Sequence, residues 1–170
     1  VSKSLINNSQ FNIVAFVVNE MAETISRWLE GELLHGTEGK VDGMIKGITQ
    51  KVDTAAATAI TADELIDLQD AIPDAYQGQA CWIMNRATRT AIRKLKDNEG
   101  RYILNQDATT KWGYVLFGKP VLVSENMEGM EAGKTAIVYG DMSGLAVKLS
   151  EAMEIQILRE KFATQHAVGV

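Results

Sequence analysis

Phe11, Val14, Val18, Met21, Ile25 and Trp28 follow one another at steps of 3, 4, 3, 4 and 3 residues. That spacing keeps an apolar stripe on one side of an α-helix for about four turns or more. A long helix near the start of the chain therefore constrains every fold open to it. Ser9 is placed to cap this helix, and the pattern carries it to about Glu32. Ile13, Phe16 and Val17 lie off the seam, so the first half is apolar nearly all round and needs cover on more than one side. Intrachain core is the expected cover, with a partner surface as the alternative.

Near the other end the period changes to two. Leu145, Val147 and Leu149 alternate with Ala146 and Lys148, and Met153, Ile155 and Ile157 alternate with Glu154 and Gln156. Both runs predict half-buried antiparallel strands. Helical and strand periods are mixed in between, which makes the fold class α+β. Gly36, Gly39, Gly43 and Gly47 break up residues 35–60, leaving loops and a short strand expected at Met44–Ile48. Thr61-Ala62-Asp63-Glu64 is a capping box ahead of Leu65, Ile66, Leu68 and Ile72, and Pro73 stops that helix. Ala80–Met84 reads as a buried strand, after which Asn85 caps a third helix to about Lys96. Short strands follow at Tyr102–Leu104, Tyr114–Phe117, Val121–Val123 and Thr135–Tyr139, with Gly118-Lys119-Pro120 as a turn.

A chain of 170 residues buries close to ~70% of its unfolded surface and needs no disulfide or metal staple. Seventeen basic and 22 acidic residues give a net charge of −5, which argues against a global field that coats nucleic acid. A lone Cys81 excludes an intrachain disulfide, and with only His35 and His166 beside it the zinc-ligand set is poor. No apolar run approaches the ~18 residues of a membrane span. The chain starts at Val1 with no signal pattern and stops on the apolar Ala167-Val168-Gly169-Val170. These ends suggest a piece of a longer product, trimmed at one or both ends.

Catalytic motifs are scarce. Gly129 to Gly133, ahead of Lys134-Thr135, is similar to a phosphate-binding loop, but it leaves three intervening residues where four are required. A strand rather than a helix is expected after it, so the helix N-terminus that would hold phosphate is missing, and a polar turn explains the segment. Cys81 sits in an apolar strand, where a thiol is ordinarily inert packing. No nucleophile elbow occurs. No catalytic residue, cofactor or metal site is assigned.

Two charge stripes stand out. Asp63, Asp67, Asp70 and Asp74 fall at steps of 4, 3 and 4 along the capped helix, and Arg86, Arg89, Arg93 and Lys96 at steps of 3, 4 and 3 along the next. Like charges at such spacings are mildly destabilising. Two solvated faces would explain them, and so would a charge-complementary contact within the chain or between copies. A nucleic-acid role for the basic face ranks lower, because no aromatic residue interleaves with it.

The order of segments from Cys81 onward carries a resemblance. Trp82-Ile83-Met84-Asn85-Arg86 leads into a helix. Leu116-Phe117-Gly118-Lys119-Pro120-Val121, Glu125-Asn126-Met127, Ile137–Ser143 and Arg159-Glu160-Lys161-Phe162-Ala163 follow. With the long helix and the Gly-rich His35–Gly43 loop before them, these segments resemble the major capsid proteins of tailed bacteriophages and prophages, of the Hong Kong 97 type. The resemblance implies a peripheral domain, residues 1–55 and 134–170, with a spine helix and an antiparallel sheet, and an axial domain at 56–133. The resemblance also implies an amino-terminal arm and an extended loop before the spine helix, which are expected to lie outside this sequence. It implies self-assembly into pentamers and hexamers of an icosahedral shell that encloses DNA without sequence-specific binding, with no enzymatic activity and no membrane. Scaffold, maturation protease and portal protein would be its other partners, and the virion its location after assembly in the bacterial cytoplasm. Asp63, Asp67, Asp70 and Asp74 against Arg86, Arg89, Arg93 and Lys96 of a neighbour is the expected subunit contact. Three other readings stand beside it: the shell of a bacterial nanocompartment with the same fold, an enzyme using Lys134-Thr135 on nucleotide, and a non-assembling binding module.

Overall fold

The structure is a computed structural model that describes residues 12–96, 99–106, 113–148 and 161. The chain forms two compact units, Val1–Glu30 with Val147–Val170, and Gly31–Ala146.

The first unit holds most of helix α1 (Ile13–Leu34). Asn12 caps it: the Ala15 N–H donates to Asn12 Oδ1 at 3.1 Å, occupying an amide that has no partner within the helix. Ser9 and Phe11 lie outside the described residues. The apolar seam is not a closed core. Met21 and Trp28 are exposed, and Val14, Val18 and Ile25 are half-buried. The helix outruns its expected end at Glu32 because its stop signal is Gly36, whose φ of +74° provides the left-handed residue that ends helices.

The second unit begins with the last turn of α1 and a small hairpin, β1 (Gly36–Thr37) against β2 (Val41–Asp42). Gly36 and Gly43 meet so closely there that a Cβ on either would run into backbone. The strand expected at Met44–Ile48 is instead a single helical turn, α2 (Met44–Gly47). The spacing of Met44, Ile45 and Ile48 puts all three on one side of such a turn, and they pack against Leu34, Met127 and Val138.

Helix α3 (Ala62–Asp70) carries the expected capping box, and Pro73 opens a 3₁₀ segment at Asp74–Gln79. Strand β3 (Cys81–Met84) leads through Asn85 into α4 (Arg86–Arg93). Then come β4 (Asn105–Gln106), β5 (Tyr114–Leu116), β6 (Lys119–Val123) and β7 (Ile137–Gly140). These form one sheet in the order β4-β5-β6-β3-β7. β3 is parallel to β6, with Trp82 opposite Val121, and antiparallel to β7, with Trp82 opposite Tyr139. A parallel pair needs a long crossover, and the chain through α4, β4 and β5 supplies it.

β3 reads as an unbroken apolar run because both of its faces are covered. Trp82 and Met84 join Leu65, Ile92, Leu116 and Val121 in the larger cluster, while Ile83 packs with Leu34, Met127 and Val138 on the other side. The Trp82 indole donates to Leu116 O at 3.1 Å, so its one polar atom is satisfied inside the core.

Three strand expectations change. Tyr102 makes only a bridge to Lys96, and the strand lies at Asn105–Gln106. The Gly118 turn moves one residue earlier, bringing Lys119 and Pro120 into β6. Leu145 and Val147 belong to no strand: a 3₁₀ turn at Met142–Gly144, capped by Asp141 on the Ser143 amide, precedes them and both are exposed. Leu149, Met153, Ile155 and Ile157 lie outside the described residues. The architecture is α+β, as expected.

Candidate subunit-interface site

The acidic stripe stands on α3. Glu64 anchors its start, where one carboxylate oxygen accepts the Thr61 N–H and the other the Ala55 N–H, both at 2.7 Å. These donors, Ala55 first, hold the Glu64 carboxyl below its ordinary range. Leu65 is buried beneath, which turns Asp63, Asp67 and Asp70 to solvent. Asp74 does not continue the helical stripe. Pro73 disfavours helix at the preceding residue, so Asp74 starts the 3₁₀ segment instead. Among the described residues none of the four aspartates is ion-paired; the exposed Ile66 lies among them in sequence, and the exposed Tyr76 two residues after the last.

The basic stripe stands on α4, whose opposite side buries Thr88 and Ile92. Its four members have different surroundings. Arg86 pairs with Glu125 at 2.8 Å. Arg89 and Arg93 lie over the one ring of Tyr114, 4.7 and 5.0 Å from its centroid. Lys96 lies 4.9 Å from the centre of the Tyr102 ring. Lys96 has left the helix, which ends at Arg93, because the Lys96–Tyr102 bridge draws the chain into extended form. Arg89 Nε is shut off from water and has no hydrogen-bond partner. Within the chain the two stripes do not form ion pairs with each other among the described residues.

The fold also corrects the absence of aromatic residues beside the basic face. Tyr114 and Tyr102 reach it from elsewhere in the chain, and no local signal reveals this. Gln77 is likewise invisible in sequence. Its amide donates to Gln69 O at 2.7 Å and Ile72 O at 3.1 Å, and its side-chain oxygen accepts from the Tyr139 hydroxyl. Its backbone oxygen accepts from the Lys119 ammonium. The 3₁₀ segment is thereby tied to α3, β6 and β7.

The phosphate-loop-like segment is closed on itself. Lys134 pairs with Glu128 at 2.7 Å, and the other Glu128 oxygen accepts the Thr135 N–H at 3.1 Å. The ammonium holds the Glu128 carboxyl below its ordinary range, and Glu128 in turn raises Lys134. Strand β7 follows, as expected, so no helix N-terminus faces the loop. Cys81 is buried, and burial, with Asp141 adding to it, pushes its thiol up and away from reactivity. The His35 ring Nε2–H donates to Asn126 O at 2.7 Å, which ties the end of α1 to the loop after β6. His166 lies outside the described residues. Among the described residues no group of acidic, His and Cys side chains is arranged to hold a metal, and no helix is long and apolar enough to cross a membrane.

The fold is α+β, a long helix followed in sequence by the two charged helices and a five-stranded sheet. Residues 1–170 match the model of the phage capsid family, and the chain belongs to that family. Among solved structures it is similar to the capsid of a native GTA particle, at 26% identity and a TM-score of 0.68 over 83% of this chain and 53% of that one. It is also similar to the capsid of an empty GTA particle, at 27% identity and a TM-score of 0.69 over 83% of this chain and 52% of that one. The chain thus spans about half the length of the capsid chains it matches. No curated protein sequence matches it.

Proposed function

We propose that this chain is the shell-forming part of a major capsid protein. Its copies assemble into pentamers and hexamers that close an icosahedral shell, which encloses DNA without reading its sequence. The observation that carries this reading is the family match along all 170 residues, joined to likeness with capsid chains of assembled particles. The role is structural rather than enzymatic. Scaffold, maturation protease and portal protein complete the assembly, which proceeds in the bacterial cytoplasm and ends in the virion. We assign the peripheral part to Val1–Glu30 with Val147–Val170 and the axial part to Gly31–Ala146. These bounds follow the two compact units and differ from the 55/56 and 133/134 read from sequence; the pairing of β7 with β3 supports drawing the second boundary after β7.

Negative-stain electron microscopy of the full-length protein, alone and with its scaffold, tests the reading. Closed particles of uniform diameter that protect DNA from nuclease are expected. Small, non-closing species under both conditions would overturn it, and particles filled with an enzyme instead of DNA would reassign it to a nanocompartment.

A further inference from the structure

We propose that the Arg89–Arg93 pair on Tyr114, flanked by Lys96, receives the acidic face of a second copy of this chain; this rests on the self-assembly reading above. Two guanidinium groups at 4.7 and 5.0 Å from one ring centre concentrate like charge. The ring quadrupole attracts cations but does not cancel their charge. Arg86 has a counter-charge in Glu125, whereas Arg89, Arg93 and Lys96 form no ion pair among the described residues. Charge of the opposite sign stands on α3 and just after it, where Asp63, Asp67, Asp70 and Asp74 are exposed and lack a cation among the described residues. Exposed Ile66, within the stripe, and exposed Tyr76, two residues past it in sequence, add apolar and aromatic area, a mixture typical of protein interfaces.

The two faces belong to the same compact unit and form no ion pair with each other among the described residues, so their pairing calls for another copy. Tyr114 restrains the arginine side chains before contact, which reduces the rotamer entropy lost on docking. Nucleic acid is the weaker occupant. The cations already lie over both tyrosine rings, which limits base stacking, and the chain carries a net charge of −5.

Two double variants of the full-length protein test the contact by sedimentation velocity. Arg89→Glu with Arg93→Glu cancels the net positive charge of the basic face and reverses its centre, and Asp67→Lys with Asp70→Lys does the same to the acidic face. Each variant alone should raise the concentration needed for assembly by about 30-fold or more. A chain carrying all four substitutions should assemble again, because the exchanged charges match at every contact of a pentamer or a hexamer, and recovery also establishes that the substitutions leave the fold intact. Normal assembly of either variant alone overturns the contact, as does a four-substitution chain that stays dispersed although its circular dichroism matches wild type. Loss of DNA retention by the arginine variant with assembly intact overturns it in favour of a nucleic-acid surface. Wild-type protein that never assembles removes the self-assembly reading itself, whereas wild-type assembly beside unaffected variants removes only the contact.

Discussion

Glu64 combines a local and a non-local task on one carboxylate. Its bond to the Thr61 amide completes a capping box confined to four residues, and its bond to the Ala55 amide fastens the preceding loop to the start of α3. Both donors favour the ionised form, so the carboxyl titrates below its ordinary 4.5 in the folded chain. A folded value lowered in this way contributes stability above the unfolded value, and the contribution fades as pH falls through the folded one. Glu64→Gln should therefore unfold at lower urea than wild type at pH 7. The gap should narrow below pH 4.5 and close further into acid. A gap of equal size at pH 7 and pH 3, read from urea midpoints, would remove the ionic part of this account. The capping box was legible in sequence because all its atoms come from neighbouring residues. The Ala55 bond was not, since no pattern marks which loop amide folds back. The same holds at the interface face: the charge stripes were legible from helical spacing, but Tyr114 beneath two arginines depends on how β5 crosses α4.

Among the elements, helices were read more faithfully than strands. Caps at Thr61 and Asn85 and the stop at Pro73 are local chemistry. The strands are set by partners far along the chain, which is why Leu145 and Val147 alternate without forming one. The β5–β6 hairpin lies between these cases. Leu116 pairs with Lys119, leaving Phe117 and Gly118 as a two-residue loop with φ of 47° and 78°. Positive φ at both positions matches the right-handed twist of the flanking strands. Pro120 is tolerated in β6 although it gives no N–H to the ladder, and its presence made the turn look longer than it is. No atom lies within 4 Å of a Cβ built on Gly118, so a substitution there reads backbone strain alone. Gly118→Ala should cost about 1–2 kcal/mol. Gly118→Asn should cost less than half of that, because asparagine tolerates the left-handed region. Equal losses for the two variants in denaturant titrations would mean that the loop rearranges.

At the scale of the whole chain, the sheet decides which segments belong together. Composition and the ordered segments point to an α+β capsid protein, and the boundary read at 133/134 rests on where strand alternation resumes. β7 sits beside β3, with Cys81 opposite Gly140 and Met84 opposite Ile137, and its Tyr139 joins the cluster around Trp82. Residues that share a sheet and a core open together, so amide exchange can locate the boundary physically. The amides of β3 are expected to exchange most slowly, since that strand lies between β6 and β7. Those amides of β7 that bond to β3 should open with the same free energy as β3 and with the same response to denaturant. Opening of β7 at markedly lower free energy, together with residues of α1 before Gly31, would return the boundary to the segment near Thr135. Joint opening of β3, β6 and β7 would fix the axial part as one cooperative unit, and the charged faces of α3 and α4 would then be carried on a single rigid sheet.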